Sequence, residues 1–232
     1  MNRKLYELAG ADPSMRFSPF CWRSVMALAH KQLDVERIPW RYTDKDAIAF
    51  SGQGRVPVLR DGDDFVSDSW QIALYLDETY PDAPPLFDSV QARAKARFVQ
   101  NWCESVLHPA VIKLALLDVF ECLAPQDQAY FRETREMRFG MPLEAFASDP
   151  DGAFDSLSKV LTPLRLTLSE QPYLCGDSPA YADYIVFGAF MWANVTCKRP
   201  FLPADDPLHR WNQALLGAFG GLAAAAPRAS QA

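Results

Sequence analysis

The motif Ser18-Pro19-Phe20-Cys21 carries two side chains that could do chemistry. Ser and Pro are favoured at the N-cap and the first position of a helix, so a helix is expected to begin at Pro19. A hydroxyl at that helix end can donate a hydrogen bond to an anion, whereas a thiol could serve redox chemistry. Cys21 lies beyond the strongest field of the helix dipole, which favours a buried, unreactive thiol.

Two further motifs stand at the beginnings of predicted elements. Val56-Pro57 stands just before a predicted hairpin, and an X-Pro bond adopts the cis form at a cost of only about 0.5–1 kcal/mol. Asp68-Ser69 opens a predicted helix, where both residue types are common caps and where an anion can meet backbone N–H groups. Taken singly, Ser18 and Asp68-Ser69 are ordinary helix caps.

The elements that must position these motifs alternate between strands and helices. The predicted order is strand, helix, strand, weakly helical stretch, strand, strand, helix. These elements are expected at Leu5–Leu8, Pro19–Gln32, Val35–Tyr42, the stretch to Phe50, Val56–Arg60, Phe65–Ser67 and Asp68–Tyr80.

Proline separates this region from an all-helical remainder. Residues 81–90 contain three prolines, which cannot donate backbone hydrogen bonds, so they are interpreted as a linker between a domain at 1–80 and a domain at 91–232. Apolar residues at helical spacing then predict helices at Gln91–Phe120, Gln126–Phe139, Phe154–Glu170, Tyr181–Thr196 and Pro207–Phe219. The predicted fold class is therefore α+β, with a βαβ-ββα domain followed by an all-α helical bundle.

Composition limits the possible partners. With 232 residues, of which 49% are hydrophobic, the chain can bury a large core, and its net charge of −6 argues against a nucleic-acid partner. No apolar run approaches the roughly 20 residues that cross a bilayer, and no signal-peptide region follows Met1. We therefore expect a cytoplasmic location, without a membrane partner. Five scattered cysteines, without a Cys-x-x-Cys pair, predict reduced thiols and no metal.

The three motifs together resemble the cytosolic glutathione S-transferase superfamily. Ser18-Pro19-Phe20-Cys21-Trp22-Arg23 is similar to the active-site turn of the thioredoxin-like fold with serine in place of the first cysteine, and Val56-Pro57 resembles the cis-proline junction of that fold. Further segments are similar to the serine-type bacterial beta-etherases and related fungal transferases: Asp68-Ser69-Trp70, Tyr75-Leu76-Asp77-Glu78, Ala182-Asp183-Tyr184 and Asp206-Pro207-Leu208 with Trp211. Ala180 departs from the family, which commonly has Ser or Thr three residues before Asp183 as part of a capping box.

The resemblance implies that glutathione is a co-substrate and that Ser18 is the catalytic residue. A free cysteine thiol ionises near pH 8.5, and one hydrogen bond to its thiolate, worth roughly 1.5–3 kcal/mol, would lower the thiol pKa by about one to two units. The remaining glutathione contacts implied by the family are Val56 and Pro57 for the cysteinyl portion and Asp68 and Ser69 for the γ-glutamyl end, while Arg55 or Gln53 could hold the glycine carboxylate.

The second substrate is expected between the two domains, against the long helix after the linker. Phe20, Trp102, Ser105 and His108 are the candidate residues there, with Glu104 on the same stretch. A small hydrophobic, aromatic electrophile is expected, and the subfamily resemblance implies cleavage of a beta-aryl ether. Family members usually pair, so a homodimer is also expected.

Two alternatives remain open. The first is a glutathione-dependent thiol oxidoreductase that uses Cys21, whose activity would survive loss of the Ser18 hydroxyl. The second is a module that binds glutathione or a protein partner without turnover.

Overall fold

The sheet-forming half of the chain matches the predicted order of elements. The computed structural model describes residues 3–229. Its first elements are β1 (Arg3–Leu8), α1 (Pro19–His30), β2 (Glu36–Trp40), a 3₁₀ helix (Asp46–Ser51), β3 (Val58–Asp61), β4 (Asp64–Ser67) and α2 (Ser69–Thr79).

The four strands form one mixed sheet in the order β2-β1-β3-β4. β1 pairs in parallel with β2 and antiparallel with β3, which forms a hairpin with β4. Leu5 of β1 lies opposite Leu59 of β3, and both side chains are fully buried. This thioredoxin-like sheet, with α1 and α2 attached, confirms the predicted fold of the first half.

The second half is helical throughout, as predicted, but two of its helices are interrupted. Residues 80–89 lie outside helices and strands. The elements that follow are α3 (Val90–Trp102), a π-helical turn (Cys103–Leu107), α4 (His108–Cys122), α5 (Pro125–Phe139), α6 (Leu143–Phe146), α7 (Pro150–Val160), α8 (Thr162–Glu170), α9 (Tyr181–Thr196) and α10 (Leu208–Gly221). No helix within residues 3–229 is both long and apolar enough to span a bilayer.

Proline explains both interruptions. Pro109 cannot donate to the carbonyl of Ser105, and its ring crowds that carbonyl, so the predicted helix Gln91–Phe120 widens into the π-helical turn just before it. Pro163 similarly cannot bond to the carbonyl of Lys159, and the predicted helix Phe154–Glu170 is divided at Leu161 into α7 and α8. The predicted helix Gln91–Phe120 thus continues through a π-helical turn, whereas the prediction of one continuous helix over Phe154–Glu170 was wrong.

The two halves meet where α1 packs on α9. Gly188 of α9 lies so close to Pro19 that any side chain there would clash with the Pro19 carbonyl oxygen. Arg23 is fully buried at the same contact. The start of α1, which bears Ser18, is therefore positioned by direct contact with the helical half.

Asp183 ties α9 to the elements around it. Its carboxylate accepts hydrogen bonds from the backbone N–H groups of Leu174 and Ala180 at 2.8 and 3.3 Å, and from the Trp211 indole at 2.9 Å. Asp183 thus supplies one half of a capping box, because its carboxylate accepts from the Ala180 N–H. Ala180 has no side-chain oxygen to supply the other half.

The C-terminal tail packs more closely than its composition predicts. The alanine-rich sequence from Gly221 to Ala232 predicts a frayed tail. This prediction is wrong for the described part, because Ala223 is buried and the Ala229 N–H donates to the Val195 carbonyl at 2.8 Å. The last residues of that prediction, 230–232, lie outside the described residues.

Candidate functional site

Ser18 is the N-cap of α1 and faces a cavity. Its Oγ accepts a hydrogen bond from the Cys21 N–H at 3.3 Å, and the residue is 5% exposed. A hydroxyl that accepts through its oxygen still carries a proton that it can donate. The serine hydroxyl can therefore act as a hydrogen-bond donor at a helix N-terminus, where the dipole also favours an anion.

The cavity, of about 870 Å³, lies between the sheet half and the helical half. Its wall is rich in aromatic rings: Phe17, Phe20, Trp40, Tyr42, Tyr130, Phe131, Phe139, Phe146 and Trp192. A space of this size that is lined by rings and by a few polar groups is typical of a small-molecule site.

Val56 forms part of the same wall, next to the predicted proline junction. The Val56-Pro57 bond is cis, as predicted. Among residues 3–229, no protein group bonds to the backbone N–H or carbonyl of Val56. This backbone is therefore available to an extended peptide ligand in the manner of an added strand.

Asp68 and Ser69 lie beside this junction rather than in the cavity wall. The Asp68 N–H donates to the Pro57 carbonyl at 3.3 Å, and the Asp68 carboxylate caps α2 by accepting from the Trp70 and Gln71 N–H groups. Asp68 has φ +75°, a conformation that costs free energy in a non-glycine residue and that often marks functional sites. The Ser69 hydroxyl is buried and has no protein partner in the described part of the chain.

Arg55 is exposed at the edge of the cavity, and Lys45 lies next to it. The Lys45 Nζ donates to the Gly54 carbonyl at 2.8 Å. Both cations come from the loop before Val56, so they lie on the sheet side of the cavity.

The structure separates the four residues predicted to bind the second substrate. Phe20 and His108 line the cavity with ring centroids 5.2 Å apart, whereas Trp102 and Ser105 lie outside its wall. Glu104, His108 and Ile112 of the long helix recur every four positions and line the cavity, and Pro109 and Lys113 join them after the π-helical turn. The Ser105 hydroxyl donates instead to the Asn101 carbonyl at 2.6 Å, and Trp102 packs against the core.

His108 is held as a neutral imidazole. Burial and then the nearby Arg23 cation lower its pKa to about 3. The Arg23 Nη2 lies 3.4 Å from the His108 Nε2, and the Arg23 Nη1 lies 2.7 Å from Glu104. At neutral pH, His108 can therefore exchange hydrogen bonds with a ligand but cannot supply a proton as an imidazolium.

Cys21 is unsuited to thiol chemistry in this fold. The residue is 1% exposed, and burial raises the pKa of its thiol to about 12. A thiol in that condition stays protonated at neutral pH and is not a nucleophile.

Sequence reasoning missed the part of the wall that α5 contributes. Arg135 and Arg138 of α5 and Lys113 of α4 line the cavity together with Tyr42 and Tyr130. The signal was present, because Phe131, Arg135, Arg138 and Phe139 recur at three- and four-residue intervals and so form a basic and aromatic stripe on one helix face.

Acidic and thiol side chains do not gather into a metal site anywhere in the described ranges. No group of three or more His, Cys, Asp or Glu residues among residues 3–229 could hold a metal ion.

Comparison with known families matches both halves of the chain. The family model described as "Glutathione S-transferase, N-terminal domain" matches residues 13–84, and the one described as "Glutathione S-transferase, C-terminal domain" matches residues 94–206. The chain belongs to the glutathione S-transferase superfamily. This membership confirms the predicted superfamily.

Individual members of the superfamily are similar over different lengths. The glutathione S-transferase-like protein ustS of Aspergillus flavus is 33% identical over 141 residues, which are 55% of this chain and 50% of that protein. The chain thus spans about half the length of this curated relative.

Two solved structures share the overall fold. The glutathione transferase GSTFuA3 of Phanerochaete chrysosporium has a TM-score of 0.83 at 24% identity, covering 93% of this chain and 96% of its own. The glutathione S-transferase CsGST63524 of Ceriporiopsis subvermispora, solved in complex with glutathione, has a TM-score of 0.82 at 24% identity, covering 94% of this chain and 96% of its own. These likenesses confirm the fold class, while the domain boundaries at 80 and 90 and the serine-type, beta-etherase subfamily stay predictions.

Proposed function

We propose that this chain is a glutathione transferase in which the Ser18 hydroxyl stabilises the thiolate of bound glutathione. The observation that carries the proposal is the position of Ser18, which caps the N-terminus of α1 and lines the cavity. A hydrogen bond to the thiolate favours the charged form and lowers the pKa of the thiol. Because each pKa unit corresponds to about 1.4 kcal/mol, a single strong hydrogen bond shifts the thiol pKa by about one to two units.

The other predicted glutathione contacts have the chemistry that the tripeptide requires. The free backbone of Val56, shaped by the cis bond to Pro57, supports strand-like pairing with the cysteinyl portion. The exposed carboxylate of Asp68 suits the γ-glutamyl ammonium, and the unpartnered Ser69 hydroxyl suits its carboxylate. Arg55 is free to pair with the glycine carboxylate.

In the reaction, the thiolate attacks an electrophilic carbon of the second substrate. A carbon–sulfur bond forms, and the leaving group departs with the electron pair of the bond that breaks. For a beta-aryl ether, the products are a glutathione thioether and an aryloxide, which takes up the proton that the thiol released. The aromatic cavity, with Phe20 and His108 in its wall, supports an aromatic electrophile.

Exposed aromatic side chains support the predicted homodimer. Phe50, Phe65 and Phe98 are 40%, 49% and 73% exposed. Phe50 and Phe65 contact each other edge to face, with ring centroids 5.9 Å apart, and so form a small apolar patch. Sedimentation equilibrium tests this part of the proposal, because a monomer at micromolar concentration would contradict it. A cytoplasmic location also stays a prediction.

The proposal is tested by comparing Ser18→Ala with Ser24→Ala. Ser24 lies on the same helix and is also buried, but its hydroxyl has no protein partner among the described residues and does not reach the cavity. With chlorodinitrobenzene as electrophile, Ser18→Ala should lower kcat by about tenfold to a hundredfold, as expected for one to two pKa units, with little change in glutathione affinity. The ultraviolet titration of bound glutathione should show the thiol pKa rising by the same amount, whereas Ser24→Ala should leave both quantities unchanged. Unchanged turnover in Ser18→Ala would defeat the proposal.

Retention on immobilised glutathione, without conjugation of any electrophile in a broad panel, would favour the non-catalytic alternative.

A further inference from the structure

Positive charge is concentrated in the cavity wall, although the chain as a whole is acidic. The net charge is −6, yet five cationic side chains line this one cavity: Lys45, Arg55, Lys113, Arg135 and Arg138. Throughout residues 3–229, none of the five forms an ion pair with a carboxylate. Glu104, the acidic residue in the wall, is already paired with Arg23.

These cations divide between the two sides of the cavity. Lys45 and Arg55 lie on the sheet side, next to Val56, where the proposed function places glutathione. Glutathione thiolate carries a net charge of about −2, from its carboxylates and sulfur less its ammonium, which these two cations balance. Lys113, Arg135 and Arg138 lie on the helical side and form no ion pair within residues 3–229.

Arg135 is held in a fixed orientation by neutral groups. Its Nη1 donates to the Thr134 hydroxyl at 2.8 Å, and its Nη2 lies 3.4 Å from the Tyr42 hydroxyl. The guanidinium carbon lies 4.5 Å from the ring centroid of Phe131 and 5.1 Å from that of Tyr42. A planar guanidinium that is oriented in this way is suited to binding a carboxylate through paired hydrogen bonds.

Aromatic rings lie beside this guanidinium. The Tyr42 and Tyr130 rings have centroids 5.7 Å apart at an interplanar angle of 31°, and both line the cavity. A ligand that placed a ring against these side chains would bring an attached carboxylate close to Arg135. Burial, and then the cations Arg55 and Arg135, lower the pKa of Lys45 against the opposing field of the Asp127 carboxylate. A bound anion would relieve this repulsion.

We infer that the second substrate is an aromatic electrophile that bears a carboxylate, and that Arg135 binds the carboxylate while Arg138 and Lys113 add to the attractive field. This inference rests on the proposed function, since it identifies the substrate class of the same cavity. Arg135 determines specificity and takes no part in bond making.

The binding test separates this inference from the transferase proposal. The affinities of nitrobenzoate and of its methyl ester are measured by calorimetry, with saturating S-methylglutathione present so that the sheet-side cations are occupied. Nitrobenzoate should bind at least about tenfold more tightly than the ester, as expected for a charge-assisted pair. Arg135→Gln should abolish this preference, whereas Arg132→Gln should keep it. Arg132 is the matched control because it lies on the same helix, outside the cavity wall, and pairs with Glu136 and Glu144.

Turnover provides the second readout. For chlorodinitrobenzoate and for its methyl ester, kcat/KM is divided by the rate constant of the uncatalysed reaction. This ratio should be about tenfold or more higher for the acid than for the ester in the parent and in Arg132→Gln, but not in Arg135→Gln. Equal binding of acid and ester by the parent would overturn the inference, as would a preference that survives Arg135→Gln. If S-methylglutathione binds and neither electrophile is conjugated, the transferase proposal fails, and the calorimetric comparison still decides whether Arg135 forms an anion site.

Discussion

The Arg23 Nη1 lies 2.7 Å from the Glu104 Oε1 and thereby joins α1 to the π-helical turn. The Arg23 side chain is completely buried, whereas that of Glu104 is 38% exposed. Gln100 donates to the same carboxylate oxygen at 2.8 Å. The pair therefore connects the helix that bears Ser18 to the helix face that lines the cavity.

Glu104→Gln should destabilise the protein because it leaves Arg23 buried without an anionic partner. The expected loss in the free energy of unfolding is about 2 kcal/mol, lower than for a fully buried pair because Glu104 is partly solvated. Urea unfolding measures this loss. Glu144→Gln is the control, since it removes an equally short ion pair with Arg132 in which both partners are well exposed. Equal stability of Glu104→Gln and the parent would show that the buried pair contributes nothing.

Cys21→Ala should leave conjugation nearly intact. The thiol is buried and protonated, so its removal costs packing rather than chemistry, with an expected destabilisation of about 1 kcal/mol. Conjugation kinetics at a temperature well below unfolding should stay within about twofold of the parent, given that small packing change. Loss of activity in this variant, together with full activity in Ser18→Ala, would instead support the oxidoreductase.

Stability should depend on pH through His108. Its pKa is lowered to about 3 in the folded protein by burial and by Arg23, whereas an unfolded histidine titrates near pH 6.5. Below about pH 6.5 the unfolded state binds a proton that the folded state does not, so this contribution to stability is lost as the pH falls toward 3.

At pH 5 this loss amounts to about 2 kcal/mol. His108→Gln removes the titrating group, so between pH 7 and pH 5 the parent should lose about 2 kcal/mol more stability than the variant in urea unfolding. Equal losses in the two proteins would mean that the folded imidazole titrates as it does in the unfolded chain.

Asp183→Ala should destabilise the helical half without altering the cavity. The substitution leaves the buried Trp211 indole and the Leu174 and Ala180 N–H groups without their acceptor, at an expected cost of about 2–4 kcal/mol. Thermal unfolding should show a lower Tm for Asp183→Ala. Asp205→Ala is the control, because Asp205 is exposed just before the last helix, and its Tm should equal that of the parent. Activity of the folded protein at low temperature should persist, and an unchanged Tm would contradict the structural role.

Most elements could be predicted from the sequence because the residues that begin or end an element are adjacent to it in the chain. Ser18-Pro19 and Asp68-Ser69 begin helices where capping predicts, and α9 has the predicted bounds Tyr181–Thr196. The prediction of one helix over Phe154–Glu170 failed because the apolar spacing continues through Pro163, whereas the backbone does not. Pro109 similarly introduces a π-helical turn that the spacing does not reveal.

The sequence predicted more of the sheet side of the candidate site than of its helical side, where the predicted His108 lines the cavity but Trp102 and Ser105 do not. Ser18, Arg55 and Val56 are recognisable because short motifs carry them, and all three line the cavity. Arg135 faces Tyr42 from a helix that is distant in sequence, and only the tertiary packing brings these two residues together. Residue spacing predicts that Trp102 lies at the cavity, but spacing alone does not show which face of the helix turns inward.

The contact of Gly188 with Pro19 limits how the two halves can be recombined. A chimera that joins this N-terminal half to the helical half of a relative with a larger residue at that crossing would push the first helix outward and move Ser18 away from the cavity. Exchange of acceptor specificity by domain shuffling will therefore work only among partners that keep glycine there.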